Sequence, residues 1–292
     1  MSASLEKSSH CKVNLLLNIL GRRADGFHEL ETVMQPVQVC DRLVFSRGGE
    51  GVQLTCSDPR LPTDAGNLVH RAAVSFLQTA RLSDGVTIYL EKKIPLAAGL
   101  GGGSGNAATT LLGLNELFGF PLVPGQLNEI AASLGSDIPF FLQPGPALAT
   151  GRGETIMPLE PFPALSGGFF LLIHPGFGIS TAWAYRALGR FPAALNGSPG
   201  RAKHLVQLLQ TRDLATASRE FYNSLEAPAL EKYPLLVLFQ EFLRANGAAA
   251  ALMSGSGSTT FALVESRAAA EQLSEKFKQK FGASCWMAVV PV

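Results

Sequence analysis

An excess of charge of either sign is missing from this chain. Its 292 residues carry 24 Lys and Arg against 23 Asp and Glu, a formal net charge of +1. No long-range field therefore draws it to nucleic acid or to an anionic membrane, and any bound anion must be held by local geometry. Cysteine is scarce and scattered: Cys11, Cys40, Cys56 and Cys285 form no CxxC pair. That speaks against a zinc site or a disulfide scaffold and predicts a reducing, cytoplasmic setting. Long apolar runs are lacking too. LLLNIL is broken by Asn18, and GGFFLLI (167–173) is far shorter than the ~18 apolar residues of a membrane span. The opening MSASLEKSSHCK carries Glu6 and Lys7 and has no apolar core, so no signal peptide is expected in it. Hydrophobic residues, by contrast, make up 47% and charged residues 16%. Such a chain is globular, with enough material for one large or two ordinary domains.

The first third reads as strands and turns. KVNLLLNIL is apolar and β-compatible and stops at the turn-rich GRRADG. ELETVMQPVQV, DRLVFSR and GVQLTC follow as strands, with Pro36 marking an edge or a bulge. Asn67 stands at an N-cap position before LVHRAAVSFLQTARL, whose apolar residues recur at helical spacing. The alternating strand GVTIYLEKKI leads into a glycine-rich stretch. Helices are expected from about Ser104 to Phe118 and from Gln126 to Leu134, then a strand at ALATGRGETIMPL. Beyond the Pro-rich MPLEPFPALSGG come a buried strand, GFFLLIHPG, and four helical patterns. A loop and strand in ALMSGSGSTTFALV, a helix in ESRAAAEQLSEKFKQKF and the strand CWMAVVPV complete the chain. The reading is α+β, with two domains, 1–156 and 157–292.

Five glycines lie between Gly99 and Gly105 in PLAAGLGGGSGNAATTLLGLNELF. Glycine loses more chain entropy on folding than any other residue, so this run needs a reason. Ser104 is placed to cap the helix that follows. The first helical N–H groups would then point into the glycine loop, where an anion is stabilised, and bare backbone could close around a phosphate. A Walker A loop is excluded, because no Lys lies between Lys93 and Lys203. The Rossmann variant formed by Gly103, Gly105 and Ala108 comes too late in the chain and lacks an acidic partner at the expected distance.

The pattern P-x-x-x-G-L-G-G-G-S with Ala107-Ala108 resembles the phosphate loop of the GHMP kinase superfamily. MSGSGSTTF (253–261) resembles its second glycine loop. One branch fits best, the diphosphocytidyl-methylerythritol kinases of isoprenoid-precursor synthesis. CKVNLLLNILGRRADGFHELETVMQPVQVCDRL, GSDIPFFL, ATGRGE and HPGFGISTAWAY all look like that branch. Two departures stand out: His10-Cys11 replaces the usual Pro-Ala, and Gly105 replaces a second Ser.

The resemblance implies an N-terminal ribosomal-protein-S5-like domain and a C-terminal ferredoxin-like α/β domain, with the active site between them. It implies ATP and Mg²⁺ as cofactors, with metal ligands unassigned, and phosphorylation of the 2-hydroxyl of the erythritol moiety. ATP would be held by Pro95, Leu96, Ala97, Ala98, Gly99, Leu100, Gly101, Gly102, Gly103, Ser104 and Gly105, with Asn67 near the adenine. By local sequence alone Asp137 is a helix cap and Lys12 a solvated strand end. The resemblance makes Asp137 the catalytic base. Lys12 would be its partner, keeping the carboxylate ionised and offsetting charge on the transferring phosphoryl. Asn14, one pleat on, would face the substrate with Thr181. Phe27, His28 and Tyr185 would hold the cytosine ring. His174 reads as structural, and Ser254, Gly255 and Gly257 as a plain turn or the substrate side of the cleft. Partners are confined to a small-molecule substrate, with no nucleic acid or membrane, and the protein is expected as a monomer or homodimer. Two alternatives stay open: another kinase of the superfamily, acting on homoserine, mevalonate or a sugar, and a catalytically dead nucleotide sensor.

Overall fold

A computed structural model describes residues 4–292. The elements run, in order, β1 (Ser4–Arg22), β2 (His28–Arg47), β3 (Val52–Cys56), α1 (Leu68–Thr79), β4 (Val86–Glu91), α2 (Gly102–Leu117) and α3 (Pro124–Leu134). A 3-10 turn at Pro139–Leu142 precedes β5 (Ala147–Gly151), β6 (Thr155–Pro158) and β7 (Phe169–His174). Then come α4 (Thr181–Ala187), α5 (Pro192–Leu195), α6 (Arg201–Leu209), α7 (Leu214–Ser218), β8 (Tyr222–Asn223), α8 (Glu226–Lys232) and α9 (Pro234–Ala245). The chain ends with β9 (Ala250–Met253), β10 (Thr260–Val264), α10 (Arg267–Phe281) and β11 (Trp286–Pro291). The α+β reading holds.

Three local expectations are corrected. β2 is one strand of 20 residues, where the sequence pattern suggests two. It pairs β5 through Leu30–Met34 and β4 through Arg42–Arg47, and Pro36, which has no N–H to donate, falls in the gap. β1 already runs through Ser4–Cys11 ahead of Lys12; this polar stretch alternates in exposure but carries too few apolar residues to announce a strand. ALATGRGETIMPL is a hairpin, β5 and β6, turned through Gly151 and Gly153 at positive φ.

The chain forms two compact units, each assembled from several segments. The first comprises the chain up to Cys11, Val39–Ile94 and Gly101–Pro144. Here β3 pairs β4 in parallel, and β4 pairs the second half of β2 antiparallel. The helical spacing of Val69, Ala72, Ala73, Phe76 and Leu77 gives α1 one buried face. In α2, Gly113 lies so close to Phe45 that a Cβ would stand 2.6 Å from its ring, so only glycine lets helix and strand approach.

The second unit comprises Lys12–Gln38, Pro95–Leu100 and Gly145–Val292. One of its sheets contains the first half of β2, the second half of β1, the β5–β6 hairpin and β8, which pairs β1 in parallel. The other is the antiparallel sheet β11-β7-β10-β9. Leu171, Ile173, Ala262 and Val264 of that sheet share a core with Phe239, Leu243, Leu273 and Phe277 of α9 and α10. Burying each large apolar side chain contributes about 1.5–3 kcal/mol. Ser266 caps α10 by accepting from the Ala269 N–H, 3.2 Å, and Gly282 ends it at φ +85°.

Candidate active site

In the first unit the glycine-rich stretch opens α2. Its N-cap is Gly101, not Ser104: Gly101 sits in the left-handed region at φ +69°, and its carbonyl accepts from the Gly105 N–H at 2.8 Å. Ser104 is the third residue of the helix, and no side chain caps this end. The first-turn N–H groups have no partners within a helix, and the first turn holds no acidic residue, so the end suits an anion. A Cβ on Gly103 would meet only Leu68 Cδ1, at 3.7 Å, which leaves that side of the loop open. These residues fit a nucleotide phosphate.

Asn67 caps α1 as expected, accepting from Val69 N at 2.9 Å while its amide donates to the Pro62 carbonyl at 2.8 Å. Asp137 is half-buried and precedes the 3-10 turn, whose N-cap is Ile138 with no side-chain hydrogen bond, so Asp137 does not occupy the cap position. Asp41 belongs to the D-x-L of the strand that resembles the family's, but the sequence assigns it no role. It is fully buried, pairs with Lys92 Nζ, and accepts from Lys93 N (2.7 Å) and Ile94 N (2.9 Å), fixing the end of β4. Among the described residues no group of three or more His, Cys, Asp or Glu could hold a metal.

The two departures also lie in this unit. Cys11 is fully buried, and burial pushes its thiol up to about 12, so it packs as a small protonated hydrophobe. His10 packs against Phe141 with centroids 5.5 Å apart. A Cβ at position 105 would stand 2.7 Å from the His10 carbonyl and 3.1 Å from Ser9 Oγ. A serine there would therefore face β1. Gly105→Ser is expected to destabilise the fold by roughly 1–3 kcal/mol through overpacking, as a lowered midpoint in urea would show.

The second unit holds the other half of the stretch. The Lys12 N–H donates to the Leu100 carbonyl at 3.0 Å, so β1 carries the loop. Ser254 Oγ donates to the Gly99 carbonyl (2.9 Å) and Thr259 N to the Ala98 carbonyl (3.1 Å), so Ser254–Thr259 lies directly against it. A Cβ on Gly255 would be 2.8 Å from the Gly99 carbonyl and 3.4 Å from Lys12 Nζ. The MSGSGST stretch is thus more than a plain turn: it packs against both the loop and the lysine. Thr181 Oγ1 and Ser256 Oγ are 2.9 Å apart, which brings α4 to the same place.

Lys12, Asn14 and Thr32 are all buried, and they form a chain of polar contacts. Lys12 Nζ donates to Asn14 Oδ1, Asn14 Nδ2 donates to Thr32 Oγ1 (2.8 Å), and Thr32 Oγ1 donates to the Leu16 carbonyl (2.5 Å). Sequence reasoning misses Thr32, because a lone Thr in a period-two strand gives no signal of its own.

Phe27, His28 and Tyr185 occupy this unit as well. Phe27 follows a turn pinned by Asp25, whose carboxylate accepts from Phe27 N at 3.1 Å, and its ring is 51% exposed. The Arg152 guanidinium lies over that ring, 4.6 Å from its centroid. His28 and Tyr185 rings stand 5.0 Å apart at 39°. Burial, followed by the Arg22 charge, pushes His28 below the usual imidazole range, so near neutral pH its ring is uncharged and offers one donor and one acceptor. His174 serves the fold: its Nδ1 accepts from Gly176 N at 3.0 Å in the turn after β7.

No helix among the described residues is long and apolar enough to cross a membrane. Residues 67–145 match the N-terminal domain of GHMP kinases, and residues 205–283 match their C-terminal domain. A 4-diphosphocytidyl-2-C-methyl-D-erythritol kinase of Synechococcus sp. (strain JA-3-3Ab) is 41% identical over 278 residues, covering 94% of this chain and 89% of the relative. Its counterpart from Moorella thermoacetica is 40% identical over 270 residues, covering 92% and 93%. A crystal structure of a 4-(cytidine 5'-diphospho)-2C-methyl-D-erythritol kinase superposes with a TM-score of 0.81 at 34% identity, covering 99% of this chain and all of the other. A homoserine kinase from Cytophaga hutchinsonii shares the fold, with a TM-score of 0.81 at 23% identity, covering 100% and 96%. Equal structural likeness to two kinases cannot choose between them, but identity over nearly the full length does, and the chain belongs to the 4-diphosphocytidyl-2-C-methyl-D-erythritol kinase family of ATP-dependent GHMP kinases.

Proposed function

We propose that this protein phosphorylates the 2-hydroxyl of 4-diphosphocytidyl-2-C-methyl-D-erythritol in the non-mevalonate route to isoprenoid precursors. The observation that carries the substrate choice is the pairing of His28 with Tyr185 in the same unit as the exposed Phe27 ring. A cytosine ring has a flat face and a hydrogen-bonding edge. Phe27 and Tyr185 supply aromatic faces, and the neutral His28 supplies both donor and acceptor to the edge.

ATP supplies the phosphoryl group, and Pro95–Gly105 would hold its phosphates. Mg²⁺ would be bound chiefly through those phosphates, as is usual for this ion in kinases. Asp137 takes the proton of the attacking hydroxyl, and Lys12 offsets negative charge where the phosphoryl is transferred. Asn14 holds Lys12 and keeps a second amide N–H for a substrate oxygen. Thr181 binds substrate from α4, and Asn67 seats α1 next to the loop. The N-terminal GHMP kinase domain is taken as 1–156 and the C-terminal one as 157–292, and the enzyme would work in the cytoplasm as a monomer or homodimer.

The test is specificity. Losing one stacked face costs very roughly 1–3 kcal/mol in single-strand binders, so Phe27→Ala and Tyr185→Ala should each raise KM for the cytidine substrate about five- to a hundredfold. ATP affinity should barely move, and Phe27→Tyr should be nearly silent. CDP and CMP should compete with the acceptor more strongly than UMP. Normal KM in both alanine variants would sink the cytosine assignment. A coupled ADP-release assay with homoserine and mevalonate in place of the cytidine substrate separates the other superfamily kinases.

A further inference from the structure

We infer that Thr32 is a positioning residue for the phosphoryl-transfer step: its hydroxyl fixes the orientation of the Asn14 amide and, through it, the place of the Lys12 ammonium. The inference rests on the proposed role of Lys12.

A threonine hydroxyl has one proton. Here that proton is committed to the Leu16 carbonyl at 2.5 Å, so Thr32 Oγ1 can only accept from its other neighbour. The neighbour must present a donor, which sets Asn14 Nδ2 toward Thr32 at 2.8 Å. Asn14 Oδ1 is then left to face Lys12 Nζ, from which it accepts. The flipped amide would set NH₂ against an ammonium and a carbonyl oxygen against a hydroxyl with no proton to give. Both bonds would be lost in a place where all three residues are buried and water cannot substitute.

The arrangement follows from the strands. Lys12 and Asn14 are two residues apart on β1 and so share a face, while β2, the neighbour of β1, brings Thr32 to them. Thr32 also has its own ladder partner, Ala149 of β5, so its backbone is held whichever side chain it bears. Valine at this position keeps the shape but removes the hydroxyl, and with it both the acceptor for Asn14 and the donor to the Leu16 carbonyl. The Asn14 amide then loses the partner that chose its orientation, and Lys12 loses a defined acceptor.

Steady-state kinetics of Thr32→Val, Thr32→Ser, Asn14→Ala, Lys12→Met and the Thr32→Val/Asn14→Ala double variant, normalised to folded protein by near-UV circular dichroism, test this. Hydrogen bonds to charged groups are worth enough that kcat of Thr32→Val should fall roughly tenfold or more, with KM for ATP and for the cytidine substrate within about twofold of wild type. Thr32→Ser should restore kcat, because the hydroxyl returns. The double variant should be no slower than Asn14→Ala alone, since Thr32 acts only through Asn14. Wild-type kcat in Thr32→Val beside a crippled Lys12→Met would overturn the inference alone. So would additive losses in the double variant, or a Thr32→Ser enzyme as slow as Thr32→Val. Wild-type kcat in Lys12→Met would overturn the catalytic role of Lys12 and this inference with it.

Discussion

Asp137→Asn is expected to bind ATP normally and to turn over two to four orders of magnitude more slowly, roughly the usual worth of a general base. Phosphoryl transfer asks little covalent chemistry of a protein. It asks for position, for charge neutralisation, and for a group that receives the hydroxyl proton. Asparagine matches aspartate in shape and cannot take that proton at neutral pH. The competing explanation, that Asp137 is needed only to begin the 3-10 turn, has a weak footing. The N-cap of Pro139–Leu142 is Ile138, with no side-chain hydrogen bond, and Pro139 enforces the turn's start by its own ring. Thermal unfolding and calorimetric ATP binding, measured beside turnover, separate the two. A variant that unfolds but keeps wild-type activity per folded molecule would show that Asp137 is structural. A wild-type chain that binds ATP and releases no ADP with any acceptor would favour the nucleotide sensor instead.

Elements that carry their own chemistry are legible in the sequence. Asn67 announces α1 because a short polar side chain before an apolar period-3.6 run has one good use. The alternation of VTIYLE gives β4, whose apolar residues are buried on one face. FFLLIH gives β7 because a run buried on both faces has no polar side to show. What escapes depends on partners far away in the chain. Ser104 is a sound cap by composition, but Gly101 takes the left-handed turn first, and the helix starts two residues early. β1 and β2 each serve both compact units, changing unit at Cys11 and at Gln38, where no composition shift marks the change. Thr32 and Asp41 matter through what they touch, Asn14 in one case and Lys92 with the Lys93 and Ile94 amides in the other. Single residues in strands carry no pattern from which such pairings could be read.

The glycines of the Pro95–Gly105 loop differ in what a side chain would meet, and this separates binding from folding. Gly99 lies at φ +76°, a conformation that costs an L residue roughly 1–2 kcal/mol. Its Cβ would also overlap the Ser254 carbonyl and stand 2.9 Å from Gly257 N, both backbone atoms that cannot rotate aside. Gly99→Ala must therefore push the loop off Ser254–Thr259 and break the hydrogen bonds at Gly99 and Ala98, at 2.9 and 3.1 Å. Strain and overpacking together reach a few kcal/mol, so nucleotide affinity should drop by about two orders of magnitude and the unfolding midpoint should fall with it. Gly103 is the contrasting case. Its φ is not in the left-handed region, and the nearest atom to an added Cβ is Leu68 Cδ1 at 3.7 Å, an ordinary distance. Gly103→Val should leave the unfolding midpoint close to wild type, because the protein itself has room. In the proposed function that room is for the phosphates, whose approach to bare backbone at the start of α2 a valine would block. ATP binding by calorimetry should then weaken sharply in a protein that is otherwise intact. Equal affinity in wild type and Gly103→Val would mean that the nucleotide does not approach this loop, and the assignment of Pro95–Gly105 to its phosphates would fail.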